Sequence, residues 1–273
     1  MQLGIALRSM GPQSRPETFL ACALAAEAAG LADLWVQDHI AIPPDDAEGS
    51  GGRYLDPLTA LAWLAAKTTH IGLGTGVLIL PYRPALPTAK AIATLQELSG
   101  GRLLLGVGAG WMDAEFRALG VPRERRGRDT DETLAFLRRC FESDVVRANE
   151  QDFLFLPRPA RPPIYVGGAG EHALRRVIRF ADGWLPMTGD PAKLAEGRAR
   201  LRELADEAGR ATPEIIAFSA FDPNEPERIP ERLGALAEAG VARIVAGVRY
   251  ATADDFVRHA EFLGERVVPV LPA

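Results

Sequence analysis

The feature that most constrains this chain is a regular alternation of short apolar runs with longer runs of helical spacing. Parallel strands buried on both faces are continuously apolar, and residues 103–107 are of this kind. Strands that alternate with helices predict a parallel sheet. The predicted strands are residues 3–8, 34–38, 71–80, 103–107, 164–166, 183–187, 214–221 and 243–247.

A helix is predicted after every strand, so the chain has eight strand-then-helix units. The predicted helices are residues 16–29, 56–69, 87–98, 113–119, 129–142, 171–180, 191–208, 228–239 and 253–263. Eight such units in 273 residues favour a closed barrel over an open sheet. We therefore expect an α/β protein with a (β/α)8 TIM barrel, folded as a single domain over residues 1–273.

Two insertions interrupt the pattern. Residues 43–54, after the second strand, are polar and rich in proline, aspartate and glycine. Because loops that follow barrel strands lie on the catalytic face, this insertion is either a mobile lid or an ordinary surface loop. Residues 144–163, before the fifth strand, contain Phe-Leu-Phe-Leu at 153–156, which predicts a small extra strand.

Charge and cysteine content limit the partners of this chain. The formal net charge of −5 disfavours general binding to the phosphate backbone of nucleic acids. Cys22 and Cys140 lie in predicted helices without the spacing of a zinc site, so we expect buried thiols in a reducing cytoplasm. The sequence has no visible signal peptide and no apolar run of the ~18 residues that a membrane span needs. We expect a cytoplasmic protein with a small-molecule substrate, and no nucleic-acid or membrane partner.

Chemistry is expected where the strands end, because barrel enzymes carry function at that face. The second strand ends in Asp38 and His39, and a histidine there is either a proton donor and acceptor or a hydrogen-bonded structural residue. The third strand contains Gly72, Gly74 and Gly76, which indicate either a bulge beside a ligand or tight packing at the barrel centre.

Glycines also follow the fourth and fifth strands. The run 106–110 lacks the spacing of a dinucleotide-binding loop, and we expect its glycines to let a flat ligand approach the backbone. The run 167–170 leads into a predicted helix, where free N–H groups suit a phosphate, although a simple tight turn remains open. Four arginines at 123–128 either bind an anionic group of a ligand or form a solvated run of charges at the start of a helix. The sequence contains no metal-binding motif.

Taken in order, these segments resemble the luciferase-like monooxygenase superfamily of (β/α)8 barrels. The resemblance covers most of residues 1–190. The matching segments are residues 35–39, 74–81, 101–111 with Glu115 and 118–120, 126–127, 131–132, 167–170 and 181–184. Within the superfamily, the chain most resembles the branch that uses the deazaflavin coenzyme F420 rather than FMN, and the Asp38-His39 pair is the main reason.

The resemblance implies roles for individual residues. A non-proline cis peptide at Gly76–Val77 would support the flavin-like ring, and Asp38 with the Ala109-Gly110 backbone would contact the deazaflavin. The turn formed by Gly168, Ala169 and Gly170 would hold its phosphate. His39 would act as an acid or stabilise charge.

One position departs from the family pattern. The sugar-phosphate dehydrogenases of the branch have a catalytic glutamate where this chain has Trp111, and Glu115 lies one helical turn further on. This departure disfavours glucose 6-phosphate as the substrate.

The expected activity is hydride transfer between F420 and a small organic substrate. An FMN-dependent monooxygenase, a non-catalytic flavin-binding barrel and, more distantly, a sugar-phosphate isomerase or aldolase remain alternatives. The resemblance also suggests a homodimer, and the Ala- and Leu-rich residues 60–66 would suit either a partner subunit or the barrel.

Overall fold

Eleven strands and nine α-helices make up the part of the chain that our computed structural model describes, residues 1–272. The strands are β1 (Gln2–Ala6), β2 (Asp33–Val36), β3 (Gly72–Thr75), β4 (Leu78–Ile79), β5 (Leu103–Gly108), β6 (Val145–Ala148), β7 (Gln151–Leu154), β8 (Ile164–Gly167), β9 (Gly183–Leu185), β10 (Glu214–Ser219) and β11 (Val241–Ala246). The helices are α1 (Pro16–Ala28), α2 (Pro57–Ala65), α3 (Ala85–Leu98), α4 (Asp113–Leu119), α5 (Arg126–Glu142), α6 (Glu171–Phe180), α7 (Pro191–Glu207), α8 (Ile229–Glu238) and α9 (Ala253–Phe262).

The parallel strands close into a barrel in the order β3-β2-β1-β11-β10-β9-β8-β5, and pairing of β3 with β5 completes the ring. The short β4 pairs with β5 beyond the point where β3 ends, so β3 and β4 together form one position of the barrel. The predicted (β/α)8 TIM barrel is therefore confirmed.

Helix starts follow the sequence signals. Proline occupies the first turn of α1, α2 and α7, and the side chains of Asp56 and Asp190 cap α2 and α7. The prediction that the second helix reaches residue 69 was wrong, because α2 ends at Ala65. The Arg102 guanidinium binds the carbonyl oxygens of Ala65 at 2.8 Å and Ile71 at 3.0 Å, and so fixes the turn into β3.

The core has two parts. Most apolar side chains lie between the outer face of the barrel and the helices. A smaller cluster fills the barrel interior and consists of Trp35, Tyr165, Leu185, Ile216 and Val245. A Cβ atom at Gly74 would lie 2.3 Å from the Trp35 ring. Tight packing at the barrel centre therefore explains Gly74, whereas Gly76 lies at the mouth, where β3 and β4 separate.

The two insertions differ in structure. Residues 43–54 begin with a 3₁₀ turn at Pro44–Asp46 and return along the β1–α1 loop, where Met10 bridges to Tyr54. In the second insertion, β6 and β7 form an antiparallel hairpin with Val146 opposite Phe153. An extra strand therefore does form, but it ends at Leu154 instead of residue 156.

Cys22 and Cys140 are buried and free, and burial raises the pKa of their thiols to about 12 and about 11. Across residues 1–272, no helix has both the length and the apolar character needed to cross a bilayer.

Candidate active site at the barrel mouth

His39 follows β2 at the carboxyl end of the barrel and pairs with an acidic residue from another segment. Its Nδ1 atom lies 2.8 Å from Oε2 of Glu115, which is on α4. The imidazole is about one-fifth exposed, whereas the Glu115 carboxylate is fully buried. The pair therefore joins a buried charge to a ring that reaches the mouth.

Glu115 accepts four hydrogen bonds. Besides His39, its donors are the backbone N–H groups of Ile40 at 2.6 Å and Ala41 at 3.0 Å, and the Tyr82 hydroxyl at 2.8 Å. Burial raises the pKa of Glu115, but the bonds from Ala41, Ile40, His39 and Tyr82 outweigh that effect and lower it below its ordinary value. Glu115 is therefore ionised at neutral pH.

An ionised Glu115 fixes the histidine tautomer. A carboxylate only accepts hydrogen bonds, so Nδ1 of His39 must be the donor. The other ring nitrogen, Nε2, hydrogen-bonds to no side chain or backbone group within residues 1–272. His39 can therefore accept or release a proton at Nε2 without losing its bond to Glu115.

Aromatic rings flank the imidazole. Tyr54, from the end of the 43–54 insertion, packs edge-on at 5.0 Å between ring centroids. Trp111, which follows β5, is edge-on at 6.4 Å and is 65% exposed. A tryptophan so exposed beside a titratable residue offers an apolar surface to a flat ligand.

Asp38, unlike its neighbour His39, is buried and bound to an arginine. Its carboxylate binds Arg83 through two hydrogen bonds of 2.6 and 2.9 Å, and its Oδ2 accepts the Ile79 N–H at 2.8 Å. Arg83 also pairs with Asp56. Burial lowers the pKa of Arg83, but the two carboxylates more than restore it. Asp38 thus fastens the end of β2 to β4.

The Gly76–Val77 peptide bond is cis, as the resemblance implies. Both residues are partly exposed within an otherwise buried stretch. The Val77 side chain extends over Gly108 and Gly167, where an added Cβ would lie 2.6 and 2.9 Å from it. The expectation that the glycines of 106–110 admit a ligand was therefore wrong for Gly108, because Val77 takes that space.

Ala109 and Gly110 follow β5 on the same rim. Both are partly exposed, and Gly110 has a φ of 78°. A Cβ at Gly110 would lie 2.8 Å from Ile79 and 3.1 Å from Phe116, so only glycine fits. Gly76, Val77, Ala109 and Gly110 therefore lie on adjacent barrel positions, next to the strand that carries His39.

Gly168, Ala169 and Gly170 link β8 to α6. Gly168 and Gly170 have positive φ angles, and the space at Gly170 is open. The backbone N–H groups of this turn donate to no acceptor among residues 1–272. Free donors at a helix N-terminus are able to bind a phosphate group, and the same free donors are present in a simple tight turn before a helix.

Other sequence candidates are not part of this site. Arg123, Arg125 and Arg128 form ion pairs with neighbouring acidic residues of α4 and α5, which supports the solvated charge run. Residues 1–272 contain no group of three or more His, Cys, Asp or Glu side chains placed to hold a metal ion.

Sequence reasoning missed two participants, Arg83 and Tyr82, and gave Glu115, which belongs to the resemblance, no role at the site. Arg83 and Tyr82 follow β4 without any local sign of a role, and Glu115 looks like an ordinary first-turn acid of α4. Their function depends on contacts across 33 to 76 residues, which a single sequence does not reveal.

The structure is a closed parallel barrel whose carboxyl end carries a histidine held by a buried carboxylate and a rim lined with glycines. Residues 1–222 match the family model of luciferase-like monooxygenases. The chain therefore belongs to this family.

Two relatives illustrate its range. An uncharacterized protein of Mycobacterium tuberculosis is 30% identical, with 92% of this chain and 94% of that protein covered. An F420-dependent glucose-6-phosphate dehydrogenase of Kineococcus radiotolerans is 32% identical, with 78% of this chain and 65% of that protein covered.

Solved structures share the fold at low identity. An F420-dependent secondary alcohol dehydrogenase in complex with an F420-acetone adduct has a TM-score of 0.81 at 18% identity, covering 99% of both chains. The oxygenating constituent of 3,6-diketocamphane monooxygenase from Pseudomonas putida, in complex with FMN, has a TM-score of 0.79 at 15% identity, covering 100% of this chain and 99% of that one.

Proposed function

We propose that this protein is an oxidoreductase that transfers a hydride between coenzyme F420 and a small organic substrate. The observation that carries the proposal is His39, held by the buried Glu115 with Nε2 left available at the mouth. The F420-dependent dehydrogenase among its relatives supports the choice of coenzyme. A bound deazaflavin would supply the two-electron hydride chemistry.

The residues at the mouth fit such a group. Val77, Ala109 and Gly110 present backbone and apolar surface to a flat ring, and Gly168–Gly170 offer free N–H donors to a phosphate. Asp38 contributes to coenzyme binding indirectly. Its hydrogen bonds to Arg83 and to the Ile79 N–H hold the end of β2 in place. Trp111 and Tyr54 flank the imidazole and would exclude water from it once a flat coenzyme covers the mouth.

His39 transfers the proton that accompanies hydride transfer at the substrate. When a substrate carbon gains or loses a hydride, a proton is gained or lost at the attached oxygen or nitrogen atom. Nε2 of His39 donates or accepts that proton, while Glu115 stabilises the charged imidazole and keeps its orientation. The residue at position 111 is tryptophan, so no carboxylate competes for this role from the end of β5.

The alternative coenzyme is reduced FMN, used with oxygen in a monooxygenase. The FMN-bound monooxygenase with the same fold supports this alternative. Titration of the coenzyme-free protein with F420 and with FMN, followed by absorbance, separates the two. We expect micromolar or tighter binding of F420, and FMN binding without F420 binding would reverse the choice.

Substrate turnover tests catalysis itself. Coenzyme-loaded protein is assayed with alcohols, enones and quinones. Tight coenzyme binding with no turnover of any class would favour a non-catalytic flavin-binding barrel.

We also propose a homodimer that buries the exposed apolar surface of α2 and α3. Leu98 is 71% exposed there and lines a groove of about 470 Å³ together with Leu58, Ala62 and Leu95. Light scattering after gel filtration is expected to give twice the chain mass. The Leu98→Glu variant is expected to give a folded monomer, and an unchanged mass would exclude this surface.

A further inference from the structure

The β1 and β11 side of the mouth carries two arginines that the proposed chemistry does not use. Ala6 packs against the cluster inside the barrel, whereas Ile5 and Leu7 pack outside, so Arg8 continues the inward-facing row of β1. Arg249 follows β11 three residues after the strand ends and is exposed.

The segments that carry these arginines are joined. The Arg8 backbone N–H donates to the Tyr250 hydroxyl at 2.9 Å, and the Gln13 side chain donates to the Tyr250 carbonyl at 3.1 Å. Tyr250 is adjacent to Arg249 in sequence and is itself buried. The two arginines therefore belong to one sector of the rim.

Neither arginine is neutralised. Among residues 1–272, Arg8 and Arg249 form no ion pair, in contrast to Arg83 at the same rim. Arg8 Nη2 donates only to the Gly49 carbonyl, at 3.1 Å, and its Nε atom is buried without an acceptor. A buried guanidinium donor with no partner is costly unless a ligand supplies one.

Three carboxylates around this part of the mouth are already engaged. Asp38 is bound by Arg83, and Glu115 by His39 and its other donors. Asp255, at the start of α9 beyond Arg249, is occupied by the cap of that helix and by Arg258. None of these three neutralises Arg8 or Arg249. Glu48, next to Gly49, is exposed and adds one negative charge beside the sector.

The position of the sector separates it from the coenzyme phosphate. Around the ring of eight strand positions, β1 and β11 lie opposite β5 and β8, which carry the Gly110 and Gly168–Gly170 turns. At the same time β1 is adjacent to β2, which leads to His39. An anion at Arg8 would thus lie beside the proton-transfer residue and across the mouth from the phosphate turn.

We infer that Arg8 and Arg249 form an oxyanion-binding site, and that the substrate carries a carboxylate or phosphate group. This inference rests on the proposed function and specifies its substrate class. The Nη1 group of Arg8, which has no partner within residues 1–272, suits a charge-assisted hydrogen bond to a carboxylate or phosphate oxygen, and Arg249 adds charge at the entrance. A substrate held in this way would have its reacting atom directed towards His39 and the ring.

Benzoate and benzamide provide a matched pair of probes, because they share a flat shape and differ in charge. Each is titrated into coenzyme-loaded and coenzyme-free protein, with the fluorescence of Trp111 and the other tryptophans as the signal. We expect the wild-type protein to bind benzoate at least tenfold more tightly than benzamide. Arg8→Gln is expected to reduce this preference to within twofold, and Arg249→Gln to reduce it about threefold.

Two further variants control the test. Arg8→Lys keeps the charge and should retain part of the preference. Arg202→Gln removes an exposed, unpaired arginine in the middle of α7 and should leave it unchanged. No preference in the wild-type protein, or full preference in both Arg8→Gln and Arg249→Gln, would overturn the inference.

The source of the oxyanion is tested with the coenzyme. If Arg8→Gln weakens F420 binding as much as benzoate binding, the site holds an acidic group of the coenzyme, and the substrate assignment is wrong. If neither F420 nor FMN binds the wild-type protein, the proposed function fails. The benzoate preference of the coenzyme-free protein then still decides whether Arg8 binds oxyanions.

Discussion

Nδ1 of His39 lies 2.8 Å from the carboxylate of Glu115, a residue 76 positions later in the chain. The same carboxylate binds the backbone N–H groups of Ile40 and Ala41, directly after the histidine. One buried charge therefore fixes both the imidazole and the backbone turn that carries it. This arrangement resembles the orienting acid of a catalytic triad in its physical role.

Replacing His39 with glutamine tests the proton role. Glutamine retains a hydrogen-bonding group towards Glu115 but neither accepts nor releases a proton at neutral pH. We expect kcat to fall by roughly 10²–10⁴, the usual contribution of a general acid or base, with coenzyme affinity unchanged within about threefold. Steady-state kinetics and a coenzyme titration measure the two effects.

Tyr54→Phe serves as the control for this variant. It alters a neighbour of the imidazole but removes a hydroxyl that hydrogen-bonds to no residue within 1–272. Its kcat should remain within about threefold of wild type. Full turnover by His39→Gln would remove the histidine from the mechanism.

Glu115→Gln is expected to destabilise the fold by about 1–3 kcal/mol at pH 7, because it removes a buried, fourfold hydrogen-bonded carboxylate. The effect depends on pH. Hydrogen bonds lower the pKa of Glu115 in the folded protein, so its contribution is complete above the unfolded value of 4.5 and is lost as pH falls below it. Urea unfolding at pH 7 and at successively lower pH values measures this difference.

The gap in unfolding free energy between wild type and Glu115→Gln should therefore shrink below pH 4.5. Tyr82→Phe removes one donor to the same carboxylate and should cost about 0.5–1.5 kcal/mol at pH 7. A gap that stays constant as the pH falls would mean that Glu115 is not ionised in the folded protein.

The barrel was predictable because its signals are local. Alternating apolar and helical runs, prolines in first turns and aspartate caps each act within a few residues. The cis peptide at Gly76–Val77, between β3 and β4, was predicted from the family resemblance and not from residue spacing. The roles of Arg83, Tyr82 and Glu115 were not predictable, because ion pairs and hydrogen bonds between distant segments leave no pattern in one sequence.

The glycines show the same limit. The sequence left two explanations for Gly74, contact with a ligand or tight packing. The position of the Trp35 ring in the structure shows that tight packing is the reason. Gly108 was expected beside a ligand, but Val77 covers it. Both outcomes depend on which side chain of a neighbouring strand points inward at that level of the barrel.

Gly74→Ala should destabilise the barrel strongly. The new Cβ would lie 2.3–2.7 Å from three atoms of the Trp35 ring, which is buried among the side chains inside the barrel. Overpacking of this kind typically costs about 1–3 kcal/mol. The midpoint of urea unfolding measures the change.

Gly234→Ala makes the same substitution within α8, where no atom lies within 4 Å of the added Cβ. Alanine is favoured over glycine in a helix, so this variant should gain about 0.5–1 kcal/mol. Opposite signs for the two substitutions are expected, and an equal loss at both positions would contradict the packing of Trp35 against Gly74.

The proposed phosphate site at Gly168–Gly170 is tested by adding a negative charge, which would repel a phosphate group. Ala169 is exposed between Gly168 and Gly170, and an aspartate there is compatible with the positive end of the α6 dipole. Stability should therefore remain within about 0.5 kcal/mol of wild type. Repulsion of a phosphate at the same N–H groups should weaken F420 or FMN binding by at least tenfold.

Riboflavin separates the phosphate from the ring, because it has the FMN ring system without the phosphate. If FMN binds to the wild-type protein, Ala169→Asp should reduce FMN affinity while leaving riboflavin affinity within about twofold. Ala169→Asn, which has nearly the same shape without the charge, should bind FMN almost as well as wild type. An equal loss for FMN and riboflavin would show that the turn shapes the ring site and does not hold the phosphate.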